Sequence, residues 1–416
     1  MRILYDLLYL LALIIYLPVF LLRRKFHRGL IRRLGILPRL LFLDRPIWIH
    51  AVSVGEATLI KGLLEELRLA FPGKSFVIST VTPTGNKIAR GLARDKDFVT
   101  YLPLDLSFVV GSVIKKVNPF LFVVAETEIW PNLLGCLYKK HIPVIVVNGR
   151  ISDSSFRGYF GIRFLIKPVL NKISLFCVQT ERDARRLLHL GLQKSRLRVT
   201  GNMKFDLKPE VLSFKASGLR LKYDEELWVC GSTHPGEEEI ILKAYQRLLA
   251  EFPDLRLLLA PRHPERASEV AGLVKKFGFQ PVKISFQKQP ADGSTPVYIL
   301  DTVGELLSFY SIAHLVFVGG SLVNKGGHNI LEPAALGKPV IFGPQMFNFK
   351  DISQLFLKNK GAVLVHNQKE LVSSVRNLLN DPSLVTALGQ HAKELIAQNQ
   401  GATQRNLGFI LSLVKT

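Results

Sequence analysis

The chain has 416 residues, of which 48% are hydrophobic and 21% charged, so it is long enough for two buried cores and is not expected to be disordered. Its formal net charge of +22 favours polyanionic partners: a phosphorylated substrate, an anionic membrane face or nucleic acid. The three cysteines are far apart and lack a CxxC spacing, so neither a disulfide framework nor a zinc site is indicated.

The N-terminus contains an uncharged apolar stretch, Leu7–Leu22, followed by the basic residues Arg23, Arg24, Lys25, Arg28, Arg32 and Arg33. As a helix this stretch would be about 24 Å long, slightly short of a bilayer core of about 30 Å. A cleaved signal peptide is disfavoured, because the dense charge follows the apolar stretch and no small-residue cleavage site is present. We therefore predict a membrane anchor helix with a basic flank over residues 1–33, either tilted across the bilayer or lying in its inner leaflet.

Short Val/Ile/Leu/Phe runs predict two series of parallel strands with helical crossovers. The first series is Ile47–Val52, Ser75–Thr80, Phe98–Leu102, Phe120–Ala125, Val144–Asn148 and Leu175–Gln179. The second series is Leu227–Cys230, Leu255–Ala260, Val297–Leu300, Leu315–Val318, Val340–Phe342 and Ala362–Val365. The charged stretch Lys204–Glu226 separates them as a linker, which predicts two doubly wound α/β domains, over residues 34–210 and 211–400, facing across a cleft. Ligands of such sheets bind at the carboxyl ends of the strands.

Polar motifs follow three strands of the first series. In the motif HAVSVGE, Glu56 comes at the start of a helix, either as a capping carboxylate or as a general base, and Gly55 is expected to allow a tight turn. The motif ETEIWPN, Glu126–Asn132, brings two carboxylates to a strand end, either with Glu126 as a turn residue and Trp130 in the core or as part of a substrate site. The motif TVTPTG, Thr80–Gly85, presents hydroxyl groups that serve either as a helix cap or as ligands of sugar or phosphate oxygens.

The second series has three further motifs. The sequence of Gly231–Glu238 predicts a strand end, a small polar turn and a helix start. Such a turn is a plausible anion site, but the sequence is not that of a P-loop. Arg262 and His263, in the motif PRHPER, are expected to face the cleft, and Arg suits a carboxylate or a phosphate. The most specific motif is Gly319–Ser321 with Gly326–Pro333, where a helix beginning near Asn329 would offer free amides to a nucleotide phosphate.

Cofactor chemistry is not indicated. The dinucleotide fingerprint is absent, which disfavours a nicotinamide enzyme, and no His/Cys/Asp set has metal spacing. We expect metal-free chemistry in which Arg, Lys and helix amides neutralise a leaving phosphate.

Taken in order, the motifs resemble those of the transferases of 3-deoxy-D-manno-octulosonic acid (Kdo) in lipopolysaccharide assembly. The set is HAVSVGE, ETEIWPN, TGNMKFD (Thr200–Asp206), GSTHPGEE, PRHPER, DTVGEL (Asp301–Leu306) and GGHNILEPAALGKPVIFGP (Gly326–Pro344). The resemblance extends from the N-terminus to about residue 400. It implies a GT-B glycosyltransferase fold, with two Rossmann-like domains, and an inverting, metal-independent transfer of Kdo from CMP-Kdo to a lipid A precursor. It also implies the inner membrane, with the catalytic domains facing the cytoplasm, and no nucleic acid partner.

The resemblance also implies roles for particular residues. Glu56 would be the catalytic base of the acceptor domain. The CMP-Kdo site would comprise Ser232, Thr233, Arg262, His263, Gly320, Asn329 and Glu332. Acceptor or cleft residues would be Ser53, Gly55, Thr82, Thr84, Glu128 and Lys204. The C-terminal segment 401–416 would be a helix that crosses back to the first domain.

Two other hypotheses stay open on the sequence alone. One is a different GT-B nucleotide-sugar enzyme, such as a UDP-sugar transferase or an epimerase. The other is a non-catalytic basic protein that binds a membrane surface or nucleic acid. This second hypothesis explains the charge but not the acidic and glycine motifs at strand ends.

Overall fold

A computed structural model of the chain describes residues 2–22, 29–38, 43–206, 219, 221–222, 224–286 and 294–415. It divides into two compact units, residues 1–207 with 399–416, and residues 208–398. The predicted boundary between residues 210 and 211, most of the predicted linker, and the basic residues 23–25 and 28 lie outside the described residues.

The first unit is built on a sheet of seven parallel strands. They are β1 (Ile47–His50), β2 (Phe76–Thr80), β3 (Phe98–Tyr101), β4 (Leu121–Ala125), β5 (Val144–Gly149), β6 (Leu175–Val178) and β7 (Leu197–Val199). Their spatial order is β3-β2-β1-β4-β5-β6-β7. The order reverses direction between β1 and β4, and a doubly wound sheet binds ligands beyond the carboxyl ends of the strands at such a point.

The second unit has a sheet of the same kind. Its strands are β8 (Glu226–Thr233), β9 (Leu255–Pro261), β10 (Gln280–Lys283), β11 (Pro296–Ile299), β12 (Leu315–Val318), β13 (Val340–Phe342) and β14 (Val363–Leu364). Their order is β10-β11-β9-β8-β12-β13-β14, again all parallel. Here the reversal lies between β8 and β12, where Val318 pairs with Gly231.

Helices occupy the connections. In chain order they are α1 (Arg2–Leu22), α2 (Gly29–Arg33), α3 (Val54–Ala70), α4 (Pro83–Leu92), α5 (Ser107–Val117), α6 (Pro131–Lys139), α7 (Asp153–Gly161), α8 (Arg163–Leu170), α9 (Glu181–His189), α10 (Glu237–Leu248), α11 (Ala267–Lys276), α12 (Leu306–Ile312), α13 (Leu331–Ala335), α14 (Lys350–Lys358), α15 (Gln368–Asn380), α16 (Pro382–Asn399) and α17 (Ala402–Lys415). Both faces of each sheet are thereby covered, which explains the nearly continuous apolar strands.

The two faces of the first sheet bury separate cores. Trp48 of β1 packs with the side of the sheet that carries α5 and α6, whereas its neighbours Ile47 and Ile49 pack with α3 and α17 on the other side. Successive side chains of a strand point to opposite faces, so one short run contributes to both cores.

The C-terminal helix α17 packs within the first unit. Its start is capped by Asp206, which accepts hydrogen bonds from the backbone N–H of Gly401 at 2.6 Å and of Thr403 at 2.5 Å. Ala402 and Ile410 are buried in the same core as α3. This packing brings the end of the chain to the sheet of its N-terminal half.

All twelve predicted strands are present, with ends shifted by up to three residues. Two strands, β7 and β10, were not predicted. Both are short, lie at sheet edges and carry polar side chains in the sequences LRV and QPVK, so neither has the apolar run that identifies a central strand.

Helix α1 is attached to the first unit through its polar side chains. Tyr5 donates its hydroxyl to Oδ2 of Asp105 at 3.0 Å. Asp6 accepts hydrogen bonds from the Ser107 backbone N–H at 3.1 Å and from Nδ2 of Asn132 at 2.7 Å. Apolar contacts on the same side join Tyr9 and Leu13 of the helix to Leu104, Leu106 and Val109.

The opposite side of α1 is apolar and exposed. Seven apolar residues on this side are between 54% and 77% exposed: Ile3, Leu4, Leu7, Leu8, Leu11, Ile14 and Ile15. No helix in the described part of the chain combines the length and the apolarity that a bilayer crossing requires.

Candidate active site

Glu56 lies in the first turn of α3, directly after the strand β1. Its Oε2 accepts a hydrogen bond from the backbone N–H of Val52 at 2.6 Å, and its Oε1 accepts one from the Ser53 hydroxyl at 3.2 Å. Burial raises the pKa of Glu56 to about 7, and the charges of Glu126 and Glu128 act in the same direction, while the two hydrogen bonds oppose them. A carboxylate held in this way is matched to accepting a proton near neutral pH.

The second acidic motif lies beside the first at the switch point of the sheet. Glu126 follows β4, the strand paired with β1, and its φ of 59° is in the left-handed region. Burial raises the pKa of Glu128, and the charge of Glu126 adds to this effect. Lys204 belongs to the same group, because burial lowers its pKa while the charges of Glu126 and Glu56 raise it.

The hydroxyl residues near Glu56 have identifiable local roles. Ser53 is the N-cap position of α3, and Thr82 caps α4 by accepting the Gly85 backbone N–H at 3.1 Å. A Cβ on Gly85 would lie 3.1 Å from the carbonyl carbon of Ser53, so α4 starts close to the Glu56 turn. The structure thus shows Thr82 as a helix cap. Thr84 is exposed, and its hydroxyl is 3.5 Å from that of Thr82.

The expectation that Gly55 allows a tight turn is wrong, whereas its assignment to the acceptor or cleft residues stays a prediction. The helix begins at Val54, so Gly55 lies inside its first turn, and a Cβ there would meet nothing within 4 Å. The turn does not require a glycine at this position.

In the second unit, Glu237 joins the segments that follow β8 and β12. Its carboxylate accepts the backbone N–H of His234 at 3.0 Å, Gly320 at 2.7 Å, and Ser321 and Leu322 at 2.9 Å each. The side chain is fully buried, and burial raises its pKa although the four hydrogen bonds oppose this. The amides predicted as an anion site are therefore partly occupied by a carboxylate of the protein itself.

The predicted donor residues after β8 and β9 differ in exposure. Thr233 is fully buried and donates its hydroxyl to Glu238 at 3.0 Å, which ties this side chain into the protein interior. Ser232 has a φ of 57°, in the left-handed region. Arg262 and His263 are exposed, and the backbone N–H of Arg262 donates to the Thr233 carbonyl at 2.9 Å.

The glycine-rich motif after β12 is compact but is not the start of a long helix. Helix α13 begins at Leu331, two residues after Asn329, so the predicted helix start is confirmed, but the helix has only five residues. Its first amide is not free, because the Leu331 N–H donates to Oδ1 of Asn329 at 3.1 Å. Nδ2 of Asn329 donates to Glu332 at 3.1 Å. Burial raises the pKa of Glu332, and the charge of Arg262 opposes that rise, so the two side chains interact electrostatically. Gly320 has a φ of 68°, which favours glycine.

Sequence reasoning passed over several residues of these motifs. The sequence assigns no separate role to Glu237, and it leaves Glu126 either a turn residue or part of a substrate site. The sequence also assigns no role to His234 and His328, because no local pattern indicates that these two distant residues meet.

Comparisons with known proteins agree with the motif order. A family described as 3-Deoxy-D-manno-octulosonic-acid transferase (kdotransferase) matches residues 28–207. The chain is 40% identical to the 3-deoxy-D-manno-octulosonic acid transferase of Haemophilus influenzae, over 88% of this chain and 86% of that protein. It is 30% identical to the protein of the same description from Chlamydophila psittaci, over 97% of this chain and 94% of that one. A solved glycosyltransferase from Rickettsia africae matches with a TM-score of 0.59 at 14% identity, over 90% of this chain and 100% of that one, which shows a shared fold.

Proposed function

The chain belongs to the Kdo transferase family and is a glycosyltransferase that transfers Kdo, and we propose that its donor is CMP-Kdo and its acceptor a lipid A precursor. The observation that carries the mechanism is the half-buried carboxylate of Glu56. It lies at the switch point of the first sheet, where burial raises its pKa to about 7.

The proposed reaction is an inverting transfer without a metal ion. Glu56 takes the proton from an acceptor hydroxyl, the hydroxyl oxygen attacks the anomeric carbon of Kdo, and CMP leaves with the electrons of the broken C–O bond. Glu126 and Glu128 support this role because their charges help to keep the pKa of Glu56 high enough for a base at neutral pH. Ser53 and Val52 hold the carboxylate.

The donor site is proposed in the second unit, at the switch point between β8 and β12. Its residues are Ser232, Thr233, Arg262, His263, Gly320, Asn329 and Glu332. Arg262 supports an anionic donor, and Glu332, a carboxylate close to its charge, suits the ribose hydroxyls of a nucleotide.

We further propose that α1 attaches the enzyme to the cytoplasmic face of the inner membrane. Tyr5 and Asp6 hold one side of the helix on the first unit, and the exposed apolar side then enters the lipid surface. The basic run from residue 23 to residue 33 would bind anionic headgroups. Such an attachment keeps the active site beside an acceptor that stays in the membrane.

The reaction is tested by incubating purified protein with CMP-Kdo and a tetra-acylated lipid A precursor and weighing the lipid product. Addition of Kdo is expected, also in the presence of a metal chelator, whereas no product would contradict the proposed donor and acceptor. Replacing CMP-Kdo by UDP-sugars separates this function from that of a UDP-sugar enzyme.

Membrane attachment is tested by flotation with vesicles of phosphatidylglycerol and phosphatidylethanolamine. The double variant Leu7→Glu/Leu11→Glu is expected to lose most of its binding. A matched control, Leu384→Glu, changes an exposed leucine of α16 in the second unit and should float like the unmodified protein. Equal flotation of all three proteins would contradict the role of α1.

A further inference from the structure

Two histidines that have no role in the proposed transfer lie head to head in the second unit. His234 follows β8, and His328 lies in the glycine-rich segment after β12. Their Nε2 atoms are 2.9 Å apart, and their ring planes are within 6° of parallel. This is the geometry of an N–H···N hydrogen bond, in which one ring donates and the other accepts.

The contact limits how many protons the pair can hold. In the neutral pair, one hydrogen lies between the two Nε2 atoms and the other is on Nδ1 of the accepting ring. One more proton can bind at the free Nδ1 of the donating ring. A second added proton would have to bind the accepting Nε2, so that two N–H groups would point at each other. The pair therefore changes its charge from zero to +1 as one unit.

The surroundings keep the pair neutral when no ligand is bound. Burial is the main reason that the pKa of His328 falls to about 4 and that the pKa of His234 is also below its usual value. The neighbouring groups that act in the same direction are Arg262, His263 and Arg266 after β9, and Lys325 after β12. The ring of His263 stands edge-on to that of His234, with the ring centres 6.1 Å apart.

The nearby carboxylates are already engaged. Glu237 accepts four backbone N–H groups, and Glu238 accepts the Thr233 hydroxyl and pairs with Arg266 at 2.8 Å. Glu332 is hydrogen-bonded to Asn329. Among the described residues, no three His, Cys, Asp or Glu side chains are arranged to hold a metal ion. These three carboxylates therefore do not pair with the two histidines.

We infer that His234 and His328 form a proton-coupled anion site, which takes up one proton from solution when a phosphate or carboxylate group binds beside it. This inference rests on the proposed function, in which the donor brings both groups to the second unit. An anion offsets the field of the surrounding cations and so favours the protonated pair. The added proton in turn strengthens binding of the anion, because the coupling is reciprocal. Both Nδ1 atoms then carry a hydrogen and act as donors.

The test follows the imidazole nitrogen signals of isotope-labelled histidines during a pH titration, with the full-length protein free or saturated with a ligand. The variants His234→Gln and His328→Gln assign the two signals. His391, exposed on α16, serves as an internal control, and the His391→Gln variant as the matched substitution. The ligands are CMP-Kdo, CMP, Kdo and uncharged cytidine.

A rise in the titration midpoint of the pair by about one pH unit or more, which is a tenfold gain in proton affinity, is expected with an anionic ligand. A rise with CMP identifies the phosphate as the partner, and a rise with Kdo alone identifies the carboxylate. Cytidine and the His391 signal should show no change. Each single variant should lose the coupling while the other ring, no longer paired, titrates by itself.

The inference is overturned if CMP and Kdo bind without moving the midpoint, or if the pair is already protonated at pH 7 in the free protein. Failure of both CMP and CMP-Kdo to bind at all would instead remove the proposed donor, and with it this inference. The two failures are distinguishable because ligand binding is followed separately through the ligand signals.

Discussion

The backbone N–H of Val52 donates a 2.6 Å hydrogen bond to the carboxylate of Glu56, four residues further along the chain. This bond connects the end of the segment after β1 to the first turn of α3 and holds the Glu56 carboxylate there. Without it, burial and the acidic neighbours would raise the pKa of Glu56 further. The local turn and the electrostatics of the site are therefore coupled.

Replacing Glu56 by Gln should lower Kdo transfer at least about 100-fold, because an amide cannot accept the proton of the acceptor hydroxyl. Gln keeps an oxygen that can accept the Val52 hydrogen bond, so the fold and the affinity for CMP should stay near those of the unmodified protein. Turnover and CMP affinity are measured side by side. Transfer at a near-normal rate in this variant would reject Glu56 as the base.

The pH profile of kcat/KM should rise with pH and level off above about pH 7, because Glu56 must be ionised to act and its pKa is about 7. Glu126→Gln removes a negative charge that raises this pKa, so the midpoint should move to lower pH. Glu181→Gln, at an exposed position of α9, is the matched control and should leave the midpoint in place. An unchanged midpoint in Glu126→Gln would contradict the proposed coupling.

Glu237→Gln should destabilise the second unit by about 2–4 kcal/mol, because buried backbone N–H groups would then face an amide that offers one oxygen in place of two. Unfolding in urea gives the free energy of unfolding. Glu239→Gln, on the same helix but exposed, should change it little. If Glu237→Gln and Glu239→Gln have the same free energy of unfolding, the four hydrogen bonds to Glu237 do not stabilise the segments that follow β8 and β12.

Tyr5→Phe should loosen α1 without unfolding the first unit. It removes the hydrogen bond to Asp105, which is worth about 1–3 kcal/mol because the acceptor is a carboxylate. Amide hydrogen exchange of residues 2–16 should become faster, while the central strands stay protected. Tyr16→Phe, at an exposed tyrosine of the same helix, should have no effect. Equal exchange in both variants would show that Tyr5 does not hold the helix.

As the pH rises from about 4 to about 6, the protein should lose the stability that Asp105 contributes. Burial raises its pKa from 3.8 to about 6, so the folded protein binds this proton more tightly than the unfolded chain does. The contribution is present below the unfolded pKa and is lost as the pH rises through the folded pKa. Comparing the pH dependence of the unfolding free energy with that of Asp105→Asn, which does not titrate, isolates the effect.

The sequence by itself determined the strands and the places where polar motifs follow them. The run that ends at His50 identifies β1, and Glu56 must then come at the carboxyl end of that strand. Such features depend on residues close together in the chain, whose spacing sets which face of an element is buried. The edge strands β7 and β10 could not be predicted in this way, because neither has a run of apolar residues.

Only the tertiary structure decided which motifs meet. Glu237 reaches the amides of residues 320–322, and His234 meets His328, because β8 and β12 are neighbours in the sheet, although three helices and three strands of the described chain separate them in sequence. Tyr5 likewise reaches Asp105 across a hundred residues. Strand order follows from the packing of the whole sheet and its helices, and side chains far apart in sequence come into contact only once that order is set.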